Sequence, residues 1–246
     1  MEQPSKKELF KFIDFTSLNT NDTIASTEKL VSKALNFNKE GFSVAAICVF
    51  PNYTAIVKDK TQNTTIKTAA VGACFPSSQS FLQVKQLECE LAVRNGADEV
   101  DIVLNLGAFE EENYDAVVNE LIVLKKAIAP LQLKVILETG LLKSPQKIKK
   151  AAELAISGGA DFLKTSTGKV SVGATPQAAV AICEVIKSHH AKTGHRIGFK
   201  VSGGVRTYDD ALTYYQIVHD ILGASFLTPD YFRIGASSLA EALYNE

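Results

Sequence analysis

Cysteine is scarce and unpatterned in this sequence. Cys48, Cys74, Cys89 and Cys183 show neither CxxC spacing nor an accompanying pair of histidines. Structural zinc is therefore not expected, and a reducing cytoplasm is the expected setting. Histidine is equally sparse: His189, His190, His195 and His219 all fall in helical or loop segments, so no metal cluster is expected. There is almost no net charge, −1 in total, which argues against a general binder of nucleic acid or anionic membrane. A local basic site for one phosphate stays open. No apolar run is long enough to span a bilayer. Lys6, Lys7, Glu8, Lys11 and Asp14 interrupt any signal-peptide-like stretch at the N-terminus. Linkers, low-complexity runs and a second domain are also lacking, so one domain over residues 1–246 is expected.

What is present is the material for one large core. The chain has 246 residues, 46% of them hydrophobic and 22% charged. A closed (β/α)8 barrel typically takes about 250 residues. Apolar β-rich runs at 12–16, 44–49, 67–73, 99–104, 133–138, 161–165, 197–202 and 232–235 read as strands. Amphipathic stretches at 23–38, 53–59, 78–94, 114–128, 145–157, 176–192, 208–222 and 238–244 read as helices. Eight strands, each followed by a helix, point to an α/β fold with a closed parallel TIM barrel. Ser144-Pro145 and Thr175-Pro176 read as N-caps with proline at the first helical position. A faint repeat relates Asn95–Asp101 to Gly158–Lys164: helix-end glycine, Ala-Asp, then a charged residue along a strand.

Alternate residues of a strand share a face. The uniformly apolar sets, such as Val100, Ile102 and Leu104 or Phe199 and Val201, suit the outer helices. The mixed sets then face the axis. They carry Asp14, Thr16, Cys48, Asp101, Glu138, Lys164 and Lys200, mostly toward the carboxyl ends, where active sites of this fold are built. Each residue alone has a plain structural reading. Lys164 could be satisfied by an ion pair with Asp101, Asp14 could bind loop backbone, Cys48 could be a small buried hydrophobe, and Glu138 could anchor neighbouring lysines. Together they point to chemistry, because a core rarely needs two inward lysines and several carboxylates near one rim. Two approaching lysines depress the pKa of at least one, and a neutral amine can attack a carbonyl. Which of the two is the nucleophile is not decided by these arguments.

Ser202-Gly203-Gly204-Val205-Arg206 follows strand seven, and Gly235-Ala236-Ser237-Ser238 follows strand eight. Phosphate sites in barrels frequently form from these two loops. Lys169 could add a positive charge.

At these residues the sequence resembles the deoxyribose-phosphate aldolases, a class I (Schiff-base) family with a (β/α)8 barrel. The resemblance covers nearly the whole chain. It is carried by Asp14–Asn19, Ile47–Pro51, Glu99–Val103, Lys134–Gly140, Asp161–Lys169, Gly198–Arg206 and Gly235–Ser238. Lys-Thr-Ser-Thr-Gly combined with Phe-Lys-x-x-Gly-Gly-Val-Arg is its most specific part. It implies reversible cleavage of 2-deoxy-D-ribose 5-phosphate to D-glyceraldehyde 3-phosphate and acetaldehyde. Lys164 would form the Schiff base, Lys200 would tune it, and Asp101 would transfer protons. Asp14, Thr16 and Cys48 would line the substrate region. Lys169, Gly203, Gly204, Val205, Arg206, Gly235, Ser237 and Ser238 would hold the phosphate. The lysine supplies the electron sink, so no metal or other cofactor is expected. The partners are small phosphorylated sugars and aldehydes, with no nucleic acid or membrane, and a homodimer is the expected assembly. Val201-Ser202 departs from members with Pro-Ala there. The rival readings are another sugar-phosphate aldolase or isomerase, and a non-catalytic sugar-phosphate binder; the lysine pair argues against both.

Overall fold

The computed structural model describes residues 3–245. Eight strands close into a parallel barrel in chain order: β1 (Ile13–Thr16), β2 (Ala46–Val49), β3 (Lys67–Gly72), β4 (Glu99–Val103), β5 (Gln132–Ile136), β6 (Phe162–Lys164), β7 (Gly198–Ser202) and β8 (Phe232–Ala236). β8 pairs with β1, which removes every sheet edge. The parity of the side chains drives this architecture. Ile13, Phe15, Ile47, Val49, Val100, Ile102, Leu133, Val135, Leu163, Phe199, Val201, Phe232 and Ile234 all join one buried cluster with the outer helices. A smaller apolar cluster of Leu18, Ala46, Cys48, Ala69 and Val71 occupies part of the interior. The rest of the interior is charged.

The helices after the strands are Ile24–Lys39, Thr54–Thr61, Leu82–Arg94, Tyr114–Ile128, Pro145–Ser157, Pro176–Thr193, Tyr208–Leu222 and Leu239–Asn245. Ser144 and Thr175 are N-caps as expected: their side chains accept from the backbone N–H groups of Lys147 and Ala178.

Three departures from the sequence reading have local causes. The helix expected from residue 78 begins at Leu82. Ala73, Cys74 and Ser78 take positive φ, so the intervening chain is a loop, pinned where the Cys74 N–H donates to Glu88 Oε2 at 2.5 Å. β5 stops at Ile136, two residues early, and Glu138 takes the left-handed conformation, φ 53° and ψ 57°. Short helices at Lys6–Phe10, Leu106–Glu110 and Thr139–Leu142 had no counterpart in the pattern, since a single turn is too short to show a period. Among the described residues, no helix is long and apolar enough to cross a membrane, and no group of three His, Cys, Asp or Glu residues could hold a metal ion.

Candidate active site

Seven charged side chains fill the barrel interior: Asp14, Glu99, Asp101, Lys134, Lys164, Lys200 and Arg233. Each is between 0% and 3% exposed. Asp101, in the middle of β4, is the hub. Its Oδ1 accepts from Lys134 Nζ at 3.0 Å, and its Oδ2 accepts from both Lys164 Nζ at 2.7 Å and Lys200 Nζ at 2.8 Å. Strand register makes this possible, because Asp101 lies opposite Lys134 and Lys164 lies opposite Lys200. Lys200 also donates to Asp14 Oδ2. Below it, Arg233 forks between Asp14 Oδ1 at 2.6 Å and Glu99 Oε1 at 2.8 Å. Lys134 closes the circuit onto Glu99 Oε2 at 2.5 Å, and half-exposed Lys67 reaches Glu99 from the amino-terminal rim at 3.0 Å.

The lysine pair is thus asymmetric. Burial disfavours the cation on Lys164, and the charge of Lys200 disfavours it further. These outweigh the attraction of Asp101, so the Lys164 pKa is lowered. Burial acts on Lys200 in the same sense, but Asp101 and Asp14 outweigh it and its pKa is raised. Lys134, held by Asp101 and Glu99 against the same burial cost, is also raised. Burial alone would push the Asp101 carboxyl up, yet Lys134, Lys164 and Lys200 hold it well below the usual range. The surroundings therefore act oppositely on the two lysines: Lys164 is the readier of the pair to lose its proton and Lys200 the readier to keep it.

Above the charged layer, at the carboxyl ends of the strands, lies a cavity of about 270 Å³. Of the seven buried charges, Lys164 alone lines it. The rest of the wall comes from Thr16–Asn19, Thr167–Lys169, Ser202–Arg206 and Gly235–Ser238. Every residue assigned by resemblance to the phosphate end is on this wall, as is Thr16. The wall carries Lys169 and Arg206 but no carboxylate, which favours an anion. Gly203 and Gly204 turn the chain at φ 87° and 98°. A Cβ on Gly173 would stand 2.3 Å from the Gly203 carbonyl oxygen, so the neighbouring loop packs backbone to backbone against this cradle, joined where the Ala174 N–H donates to that oxygen at 2.9 Å. Lys169 Nζ donates to the Leu18 carbonyl across the mouth.

Asp14 and Cys48 lie beneath the cavity wall. Among the described residues, the Asp14 carboxylate bonds no loop backbone; it links Lys200 to Arg233. The Cys48 thiol, pushed up by burial, sits in the small interior cluster. Among the described residues, Glu138 pairs with no lysine. It accepts from the Thr167 N–H at 3.1 Å and the Thr167 hydroxyl at 2.5 Å, and so fixes the segment that runs from Lys164 to Lys169. The sequence reading missed Lys134 and Arg233. Both have inward parity, Lys134 with Glu138 and Arg233 with Gly235, and that signal would have found them.

A family model described as DeoC/LacD family aldolase matches residues 9–240. The deoxyribose-phosphate aldolase of Mus musculus is 38% identical over 241 residues, covering 93% of this chain and 76% of the relative. That of Homo sapiens is 37% identical, with 93% and 76% covered. The structure of the deoxyribose phosphate aldolase from Aeropyrum pernix, described as tetrameric, superposes with a TM-score of 0.76 at 27% identity, covering 98% of this chain and 92% of that one.

Proposed function

Because the chain belongs to the DeoC/LacD aldolase family, we propose that it cleaves 2-deoxy-D-ribose 5-phosphate reversibly to D-glyceraldehyde 3-phosphate and acetaldehyde, with Lys164 as the Schiff-base residue. One observation carries the reading: Lys164 is the member of the buried charge cluster that reaches the cavity, on a carboxylate oxygen it shares with Lys200.

An unperturbed lysine is neutral in only about one molecule in 2,500 at pH 7. The depression of Lys164 by burial and by Lys200 raises that share. The neutral amine attacks C1 of the open-chain aldehyde, giving a carbinolamine. Water leaves and the protonated imine forms. The C2–C3 bond then breaks: its electron pair moves toward the iminium to give an enamine, while the C3 hydroxyl gives up its proton and becomes the aldehyde of glyceraldehyde 3-phosphate. Protonation of the enamine at C2 and hydrolysis release acetaldehyde and restore the amine. Ionised Asp101 and protonated Lys200 serve as acceptor and donor of the protons that move.

The phosphate sits against Gly203–Arg206 and Gly235–Ser238, with Lys169 and Arg206 supplying charge. Binding energy from this non-reacting end orients the carbonyl over Lys164. Asp14, expected among the substrate-lining residues, acts through Lys200 as a positioning residue, and Cys48 shapes the floor. The chain works in a reducing cytoplasm, which its four free cysteines suit. It self-associates as a dimer, a reading supported by exposed Val84, Leu87 and Leu91 along one helix and exposed Phe81 at its N-cap.

The test is turnover. Purified protein with 2-deoxyribose 5-phosphate should release acetaldehyde, read by coupled NADH oxidation, and Lys164→Met should abolish it. Release unaffected by that substitution would refute the assignment.

A further inference from the structure

We propose that Arg233, at the amino-terminal end of the barrel, is a positioning residue that with Glu99 sets the proton occupancy of Lys164. The inference rests on the reading of Lys164 as the nucleophile.

The buried charges of the barrel interior do not balance. Asp14, Glu99 and Asp101 face Lys134, Lys164, Lys200 and Arg233, and none is more than 3% exposed. Fully ionised, the cluster carries one cation too many, and an uncompensated buried charge is costly. Arginine cannot release its proton. The excess must be relieved at a lysine, and the hydrogen bonds say which. Lys134 bonds two carboxylates, Glu99 and Asp101. Lys200 also bonds two, Asp14 and Asp101. Lys164 has one oxygen of Asp101, shared with Lys200. Lys164 is the least compensated cation and the one that gives up its proton.

Asp101 from β4, Lys200 from β7 and the thiol of Cys48 from β2 act on Lys164 directly; Glu99 from β4, Lys134 from β5, Asp14 from β1 and Arg233 from β8 join it through shared ion pairs, and Lys169 and Arg206 line the same cavity from its loops. β3 contributes apolar Ala69 and Val71 to this interior, while its Lys67 touches Glu99 from a position 36% exposed, where solvent screens it.

Arg233 creates the excess. It is fully buried, held by the Pro229 carbonyl through Nε, and forks onto both Asp14 and Glu99. Without its charge, three carboxylates would match three lysines and Lys164 would keep its proton. Without the charge of Glu99, the excess would double and Lys164 would release its proton more readily. Two neighbours that touch each other but not the substrate cavity should therefore move Lys164 in opposite directions. Structural damage alone would not reverse sign.

The experiment is trace acetylation with acetic anhydride across pH, read at Lys164 by peptide mass spectrometry against exposed Lys29. At neutral pH, Arg233→Met should slow labelling of Lys164 about tenfold and move its pH midpoint upward. Glu99→Gln, nearly isosteric, should accelerate labelling several-fold. Arg233→Lys, which keeps the charge, should stay within about twofold of the parent. If Arg233→Met does not fold, the other two variants still carry the sign. Shifts in the same direction, no shift for Arg233→Met or Glu99→Gln, or a slow Arg233→Lys would each overturn the inference. Borohydride with acetaldehyde on the unmodified protein separates the two levels. Trapping at Lys164 with unmoved labelling removes only this inference, whereas no trapping at Lys164 removes the functional reading as well.

Discussion

Replacing Lys200 by methionine removes the cation nearest Lys164 while keeping most of its volume. Both amines hydrogen-bond Asp101 Oδ2, at 2.8 and 2.7 Å, so the two nitrogens stand roughly 4–5 Å apart. At about 4 Å and an effective dielectric of about 20, like unit charges repel by about 4 kcal/mol. The substitution also frees Asp101 to stabilise Lys164 alone, which acts in the same direction. Relaxation returns part of this. If about two thirds remains, the neutral form of Lys164 becomes ~10²-fold rarer at neutral pH. The expected result is a fall in kcat/KM of about 100-fold near pH 7, measured as acetaldehyde release. The sign is specific. With Lys200 gone, the ammonium form of Lys164 is favoured, so its titration moves upward and lost rate should return as pH rises, up to about tenfold per unit. Asp14 would keep only Arg233 as a partner, and breaking a buried pair costs about 3–5 kcal/mol, so thermal unfolding must be checked to confirm that the variant is folded at the assay temperature. A deficit that is flat across pH in a folded variant, or one smaller than about threefold, would refute the reasoning.

Lys169→Gln should raise KM for the phosphorylated sugar about tenfold, with little change in kcat, because it removes one charge-assisted contact at the anion end; an unchanged KM would take Lys169 out of the cradle. Glu138→Ala should leave the buried Thr167 N–H and hydroxyl unpaired, costing about 2 kcal/mol and lowering the melting temperature by about 4–8 °C. Calorimetry with no shift would show that Glu138 does not hold this segment. Asp14, Glu99 and Asp101 are held below their ordinary range by cations that outweigh burial. Depressed carboxylates contribute stability above their unfolded values and lose it as pH falls through the folded ones. These carboxylates should therefore make the urea midpoint fall as pH drops below about 4; a midpoint unchanged between about pH 5 and about pH 2 would contradict the network.

The barrel was legible because its two side-chain faces differ so sharply. Val100 and Ile102 alternate with Glu99 and Asp101, and Phe199 and Val201 with Gly198 and Lys200, so parity alone sorted outside from inside. The two segments proposed to hold the phosphate, Gly203-Gly204 and Ser237-Ser238, are each consecutive in sequence, and the fold brings their loops to one cavity. What escaped was set by contacts distant in sequence. Lys134 and Arg233 stand at inward positions, but nothing local says that they share Glu99. Their role exists only once β4, β5 and β8 surround one axis. Parity puts Glu138 on a strand, yet it sits in a left-handed turn, and its partners are the N–H and hydroxyl of Thr167, 29 residues away. The lysine assignment shows the same limit most clearly. Sequence motifs could name Lys164 by resemblance alone, whereas the distribution of Asp14 and Asp101 between the two amines supplies a physical reason.

The central claim is that a neutral Lys164 forms the covalent intermediate. Incubation with acetaldehyde and sodium borohydride, followed by peptide mapping, tests it directly. A single N-ethyl-lysine is predicted, at Lys164, with matching loss of activity, and with neither adduct nor loss of activity when borohydride is omitted. Modification at Lys200 with Lys164 untouched, or full inactivation without an adduct at Lys164, would contradict it.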